Sequence, residues 1–341
     1  MRLVNRLFRN AAVSAWFVLA ACFPLTGESL AELLASASSV NPIVRSAAVT
    51  LEIAKLEYER DRITAADERG RLRAEMNLLS AHAAYRTSLR SYYNEVIDAI
   101  FDAARAELDR RIASLEADTA AENERATEAS YLRGLSSEES LENARLALRT
   151  AALGLEQAEW EFREYDEALK ASTGLAWSET LPPSSVPEFA VALSPEDWIE
   201  NDPAVRRARI SERIAEISLE LMPLNATRFD RLLAETELER ARLAVRQAEA
   251  AALGSYRSLL QRGRSQYATL QIRSEQIEIQ DRLAEVAIRR YQRGLISTGD
   301  RDQDRIRALT ARRNRSEAMR SYLKTYLEYL VAVGRSPEEQ S

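Results

Sequence analysis

The chain repeats itself at a spacing of about 160 residues, and this duplication limits what it can fold into. Two motifs and one glycine occur twice in the same order: NPIVRSA at 41–47 recurs as DPAVRRA at 202–208, YLRGLSS at 131–137 recurs as YQRGLIS at 291–297, and Gly174 recurs as Gly334. The offsets are 161, 160 and 160 residues. One spacing held across three landmarks indicates a tandem duplication, because chance similarity between two helical segments would not preserve it.

The first and last landmarks predict where each copy starts and stops. Asn41 and Asp202 each precede a proline, which is the pattern of a helix N-cap followed by proline at the first helical position. Gly174 and Gly334 are suited to end the last helix of each copy, because glycine tolerates the left-handed conformation found at helix ends. Between the copies, the proline-rich stretch 181–187 cannot be helical.

The middle landmark predicts a tight turn between two helices. Gly134 and Gly294 interrupt otherwise unbroken helical sequence, as a residue with positive φ would at such a turn. Capping-box spacing follows each glycine, in Ser136 with Glu139 and in Ser297 with Asp300. These residues predict the start of the next helix in each copy.

The helices before the two turns are unusually long. They cover about 71–131 and 227–291, and such a helix spans ~90 Å at ~1.5 Å per residue. The composition agrees with long solvated helices, since the chain has only 10 Gly and 9 Pro while 29% of its residues are charged. We therefore predict an all-α fold, a tandem duplication of long antiparallel helical hairpins of the coiled-coil or α-barrel type.

The helix after the first turn carries two apolar stripes. One repeats every seven residues with small residues three positions later, at Leu141, Leu148, Leu155, Phe162 and Leu169 with Ala144, Ala151 and Ala158. The second stripe consists of Leu146, Leu153 and Trp160. The first is a coiled-coil seam. Two stripes predict neighbours on two sides, as in the wall of a barrel or bundle, whereas an isolated four-helix bundle explains only one of them easily.

The N-terminus has the pattern of an export signal. Arg2, Arg6 and Arg9 precede an apolar stretch at 11–21, which predicts a signal peptide over 1–21. The stretch ends in Leu-Ala-Ala followed by Cys22, which resembles the lipobox of bacterial lipoproteins. That resemblance implies a lipid on the Cys22 thiol; the alternative is a chance cysteine after an ordinary signal peptide.

These features divide the chain into six segments. After the signal peptide, 22–40 would hold the anchor and a first short helix, 41–175 the first helical repeat, 176–200 the linker, 201–335 the second repeat and 336–341 a tail. No later window is long and apolar enough to predict a membrane-spanning helix.

The residue inventory argues against an enzyme. One Cys and one His cannot supply a structural zinc site or a Cys/His pair, and no nucleophile, base and orienting group can be assembled from the motifs present. We expect no cofactor and no bound metal. The formal charge of −6 comes from 53 acidic and 47 basic residues that are well mixed, so there is no basic surface for nucleic acid.

The duplicated landmarks together resemble the TolC-type outer-membrane factors of bacterial efflux and type I secretion. The resemblance implies three chains forming a helical tunnel in the periplasm, with an adaptor protein and an inner-membrane transporter as partners. It implies adaptor-contacting tips at Gly134, Leu135, Ser136 and Ser137 and at Gly294, Leu295, Ile296 and Ser297, and a possible pore-entrance acid at Asp300, where the first copy has Ser140. The alternative for each glycine is a plain helical turn with no partner.

One departure from that family keeps a second function open. The family inserts two amphipathic strands between the first and second helices of each copy. The segments at 61–72 and 222–229 hold no run of ~9–11 alternating residues that a spanning strand requires, so we expect little or no β structure. The first hypothesis is a lipid-anchored efflux conduit at the periplasmic side of the outer membrane. The alternative is a lipid-anchored periplasmic coiled-coil spacer without transport activity.

Overall fold

The computed structural model describes residues 41–65, 67–179, 181–183 and 185–334. These residues form seven α-helices and no strand: α1 (Pro42–Thr64), α2 (Glu68–Leu132), α3 (Glu138–Thr173), α4 (Pro195–Asn201), α5 (Pro203–Glu220), α6 (Arg228–Gln292) and α7 (Thr298–Val333). The all-α fold with duplicated hairpins is confirmed. The predicted signal peptide and Cys22 lie outside the described residues.

The first helix of each copy begins as its Asx-Pro motif predicts. The Asn41 carboxamide oxygen accepts hydrogen bonds from two backbone N–H groups at the start of α1, at 2.9 and 3.2 Å. The Asp202 carboxylate does the same at the start of α5, at 2.8 and 3.1 Å. Both caps satisfy N–H groups that have no partner inside the helix.

The long helices α2 and α6 are each 65 residues, or roughly 100 Å at ~1.5 Å per residue. Helix α2 packs against both α3 and α7, and α7 packs against α6. The four helices therefore lie side by side in the order α3, α2, α7, α6, and α3 and α6 form the two edges. Towards the other end of α2 and α6, the shorter helices α1 and α5 pack beside them.

The centre of this layer is tied together by ion pairs between α2 and α7. The Arg320 guanidinium donates to Asp98 at 2.7 Å and to Asp102 at 2.8 Å, and Arg313 donates to Asp109 at 2.7 Å. Each pair joins residues more than 200 positions apart. These contacts fix an antiparallel register in which the residue numbers of facing positions add up to about 420.

The linker between α3 and α4 crosses the second copy and closes the main hydrophobic core. The Tyr322 hydroxyl donates to the Pro187 carbonyl at 2.6 Å, and the Tyr256 hydroxyl donates to the Leu193 carbonyl at 2.9 Å. The Phe189 ring packs against α6 at Gly263, where a β-carbon would be 2.6 Å from the ring Cζ. The backbone groups of a non-helical segment are thus satisfied by tyrosines of the helices that it crosses.

Two features of this region were not predicted from the sequence. Helix α4 lies inside the segment interpreted as linker; it starts with the Ser194 hydroxyl, which accepts from the Asp197 N–H at 3.1 Å. A serine followed by proline is a start signal that could have revealed it. Gly263 gave no such signal, because its role depends on the Phe189 ring.

The seam on α3 is confirmed, but its second stripe has no neighbour in the described chain. Leu141, Ala144, Ala158 and Leu169 are buried. Leu146, Leu153 and Trp160 on the opposite side are 62%, 66% and 57% exposed. Within one chain the prediction of neighbours on two sides is therefore not met, because α3 is an edge helix. None of the described helices combines the length and apolarity needed to cross a membrane.

Candidate functional site at the hairpin tips

Each hairpin ends in the same short turn, built around a glycine with positive φ. At the first tip, which we define as Arg133–Ser137, Gly134 has φ of +74°. The Leu135 N–H donates to the Ser130 carbonyl at 2.9 Å, and the Gly134 N–H donates to the Tyr131 carbonyl at 2.8 Å. This pair of bonds is the Schellman motif, which satisfies the last carbonyls of α2.

The second tip, Arg293–Ser297, reproduces this geometry. Gly294 has φ of +68°, and the Leu295 and Gly294 N–H groups donate to Arg290 and Tyr291 at 2.9 and 2.8 Å. The prediction of positive φ at both glycines is confirmed. The turn leaves its leucine in solvent in both cases, since Leu135 is 75% exposed and Leu295 is 67% exposed.

The caps after the two turns match the prediction in one copy and correct it in the other. In the second copy, the Ser297 hydroxyl accepts from the Asp300 N–H at 3.1 Å and the Asp300 carboxylate accepts from the Ser297 N–H at 3.3 Å. In the first copy the cap is Ser137, which accepts from the Ser140 N–H at 3.2 Å. The predicted box of Ser136 with Glu139 is wrong by one residue, because the 160-residue offset pairs Ser297 with Ser137.

Asp300, the predicted pore-entrance acid, is an exposed residue with a structural task. Its carboxylate accepts from both the backbone N–H and the hydroxyl of Ser297, the latter at 2.8 Å. A carboxylate at this position also interacts favourably with the N-terminal end of the α7 dipole. Its role at a pore entrance stays a prediction.

A buried acid, which no sequence pattern indicated, lies just behind the second tip. Asp302 is 1% exposed, and its carboxylate accepts from Arg301 at 2.7 and 2.9 Å and from Arg305 at 3.1 Å. Burial opposes ionisation of Asp302, but the hydrogen bonds from the two arginines outweigh it and lower its pKa. The Arg301 guanidinium also lies over the Tyr291 ring, 4.4 Å from its centroid.

The first copy has no counterpart of this cluster. By the offset of 160, Arg301 and Asp302 correspond to Leu141, which is buried, and Glu142, which is exposed. Arg145, which corresponds to Arg305, instead reaches α2 at Glu128, 3.2 Å away. The turns are therefore alike, whereas the helix that follows each turn is attached to the layer by different chemistry.

The two tips are also staggered along α2. A β-carbon on Gly299, at the start of α7, would be 3.7 Å from the Thr119 methyl group. Helix α2 continues from there to Leu132 before its own turn begins. More than ten residues of the first hairpin, or roughly 15–20 Å at ~1.5 Å per residue, extend along α2 beyond the start of α7.

The described part of the chain does not assemble residues for metal binding. No group of three or more His, Cys, Asp or Glu side chains in that part could hold a metal ion. Near the second tip, Asp302 is paired with arginines and Asp300 caps α7. Near the first tip Tyr131, Leu132 and Leu135 are exposed, and near the second tip Tyr291 and Leu295 are exposed.

Comparison with known proteins gives a match in structure. No family model matches the sequence, and no curated protein matches it either. Among solved structures, the CmeC outer membrane channel of Campylobacter jejuni matches with a TM-score of 0.56 and 14% identity, over 92% of this chain and 90% of that chain. The outer membrane protein VceC of Vibrio cholerae matches with a TM-score of 0.56 and 13% identity, over 89% and 96%.

A third solved structure, CusC, matches with a TM-score of 0.59 and 16% identity, over 90% of this chain and 95% of that chain. It is described in terms of folding and transmembrane channel formation. These three solved structures are described as outer-membrane or channel proteins. The long duplicated hairpins, their glycine turns and these matches lead to one conclusion: the chain has the fold of the TolC-type outer-membrane channels.

Proposed function

We propose that the chain is a TolC-like component of an efflux or secretion system. Three chains form a helical conduit on the periplasmic side of the outer membrane. An adaptor protein docks at the hairpin tips and an inner-membrane transporter supplies the energy. A lipid on Cys22 anchors the chain. The observation that carries the conduit is that both edges of the four-helix layer bear apolar stripes with no partner in the described chain.

The two edge stripes have matching periods. On α3 the stripe is Leu146, Leu153 and Trp160, and on α6 the residues Ile272, Ile279 and Val286 also recur every seven positions. The α6 residues are 56%, 49% and 39% exposed. Helical spacing places them roughly opposite Asp281, which pairs with Arg312 of α7. A layer whose two apolar edges differ joins neighbouring chains head to tail. Such contacts close into a ring when the rotation between neighbouring chains allows it.

The duplication predicts how the edges meet. Within one chain, α2 of the first copy packs against α7 of the second copy. The equivalent pair with the copies exchanged is α6 with α3, and these two helices can meet only between neighbouring chains. Leu146 and Ile272 correspond to Ile306 on α7 and Ile112 on α2, which are half-buried. The residue numbers add up to 418 both for Ile306 with Ile112 and for Leu146 with Ile272. This sum matches the register of the α2–α7 ion pairs. Leu146 of one chain should thus face Ile272 of the neighbouring chain.

Disulfide crosslinking tests the ring. We expect the double variant Leu146→Cys with Ile272→Cys to form dimers and trimers under mild oxidation, with trimer as the largest product on a non-reducing gel. The control is Ala147→Cys with Ile272→Cys, since Ala147 is exposed but a quarter turn away on α3. Monomer alone from the first variant, or an equal ladder from the control, would contradict the arrangement.

Docking at the tips has its own test. In cells that produce the adaptor, Leu135→Cys and Leu295→Cys should each give adducts with it through a short thiol crosslinker. Ala152→Cys, exposed in the middle of α3, should give none. Adducts at neither tip, with the ring intact, would favour the alternative of a periplasmic coiled-coil spacer without transport activity.

A further inference from the structure

A cavity of about 430 Å³ lies far from the tips, where the linker, α4 and three long helices meet. Arg86 and Arg90 of α2 line one side, Arg262 of α6 lies on another, and Glu328 of α7 stands between them. The cavity has the size of a site for a small organic molecule. It has no part in the ring contacts or the tip contacts proposed above.

The charges in this cavity do not balance. Glu328 is shared, since its carboxylate accepts from Arg90 at 3.2 Å and from Arg262 at 3.0 Å. The Asp202 carboxylate caps α5 through two backbone N–H groups. Arg86 is half-buried beside Gly334 and has no hydrogen bond or ion pair within the part of the chain that the structure describes. Three guanidinium groups thus face two carboxylates, both already engaged.

Part of the cavity wall is apolar. Trp198 of α4 is 8% exposed and stacks on Tyr329 with ring centroids 6.2 Å apart, while Leu193, Leu259 and Val331 complete the surface. An anionic group alone would not use this wall, and an uncharged ring alone would leave Arg86 without a partner. A ligand that carries both would satisfy both surfaces.

We propose that this cavity binds a small amphipathic organic anion, a carboxylate or phosphate monoester attached to an aromatic or short aliphatic group. Arg86 pairs with the anionic group, because guanidinium forms two parallel hydrogen bonds with such oxygens. Arg90 and Arg262 add attraction while they hold Glu328 in place. The apolar portion lies against Trp198 and Leu259.

Calorimetric titration of the purified full chain with phenyl phosphate tests this site. We expect one molecule bound per chain, weaker binding as salt is raised, and much weaker binding of inorganic phosphate, which lacks the ring. Benzyl alcohol, which has the ring without the charge, should not bind measurably. Arg86→Gln should weaken phenyl phosphate binding at least about tenfold, or about 1.4 kcal/mol, and Arg86→Lys should retain part of it.

The control is Arg105→Gln, an exposed arginine of α2 outside the cavity, which should bind phenyl phosphate like the unmodified chain. The proposal is overturned if phenyl phosphate gives no binding heat at millimolar concentration. It is equally overturned if Arg86→Gln binds as tightly as the unmodified chain, or if benzyl alcohol binds as well as phenyl phosphate.

Discussion

The two copies end in nearly identical turns but hold those turns in different ways. At the first tip, α3 returns along α2 through the buried apolar Leu141, and its Glu142 is exposed. At the second tip, the start of α7 instead contains Arg301 paired with the buried Asp302. The turn depends on local backbone geometry, which the duplication preserved. The packing behind it depends on the neighbouring helices, and these differ.

This difference follows from position in the layer. Within the described part of one chain, α3 lies at the edge of the layer and packs mainly on α2, so only its seam is covered. Helix α7 lies between α2 and α6 and is covered on two sides. A charged residue that is solvated in α3 becomes buried at the equivalent place in α7, and it is tolerated there because arginines neutralise it.

The largest expected difference between the two copies is in the effect of removing the equivalent acids, Asp302 and Glu142. Asp302→Ala leaves Arg301 and Arg305 without their shared carboxylate, and we expect a loss of about 2–3 kcal/mol in the free energy of unfolding. Glu142→Ala should change it by less than about 0.5 kcal/mol. Urea denaturation followed by circular dichroism measures both. Similar values for the two variants would show that the copies do not differ in this way.

The two copies also differ in the middle of their long helices. By the offset of 160, Gly263 of α6 corresponds to the buried Ala103 of α2. Only glycine fits at the second position without a shift, because the Phe189 ring of the linker packs against it. Gly263→Ala should destabilise the chain by about 1–2 kcal/mol, since the new methyl group would overlap the Phe189 ring. Gly254→Ala is the matched control. It has open space around it on the same helix and should stabilise by up to about 1 kcal/mol.

The smallest expected effect is on acid stability. Both copies contain a buried acid whose pKa is lowered, Glu107 in α2 and Asp302 in α7. In each, burial opposes ionisation, but hydrogen bonds from two arginines outweigh it. Such a group stabilises the fold above its unfolded pKa, and this contribution is lost as the pH falls through the lower folded value.

We therefore expect the melting temperature to fall below about pH 4 in the unmodified chain, and Asp302→Ala to fall less steeply there. Thermal melts between pH 2 and pH 7 measure the difference. The remaining slope in the variant reports on Glu107 together with the other carboxylates. An identical profile in the two proteins would mean that Asp302 is not ionised against its arginines in the folded state.

Much of the candidate site could be read from local signals. Glycine at a left-handed position, a serine cap and an Asx-Pro start act within a few residues, so Gly134, Gly294, Ser297 and both copy starts were predicted correctly. The cap of α3 was misplaced because Ser136 and Ser137 are both suitable and only the backbone path distinguishes them. Asp302 and Arg86 were missed because an isolated charge in a helical sequence looks the same whether it is solvated or enclosed.

The duplication, the long helices and the positions of their turns follow from local sequence patterns, because helix formation and capping are governed by residues close together in the chain. The tertiary structure decided which stripes are covered, which acid is buried and where the linker runs. Those outcomes depend on contacts between residues as far apart as Asp98 and Arg320. Burial and charge pairing arise only when such distant segments meet, so no local pattern could specify them.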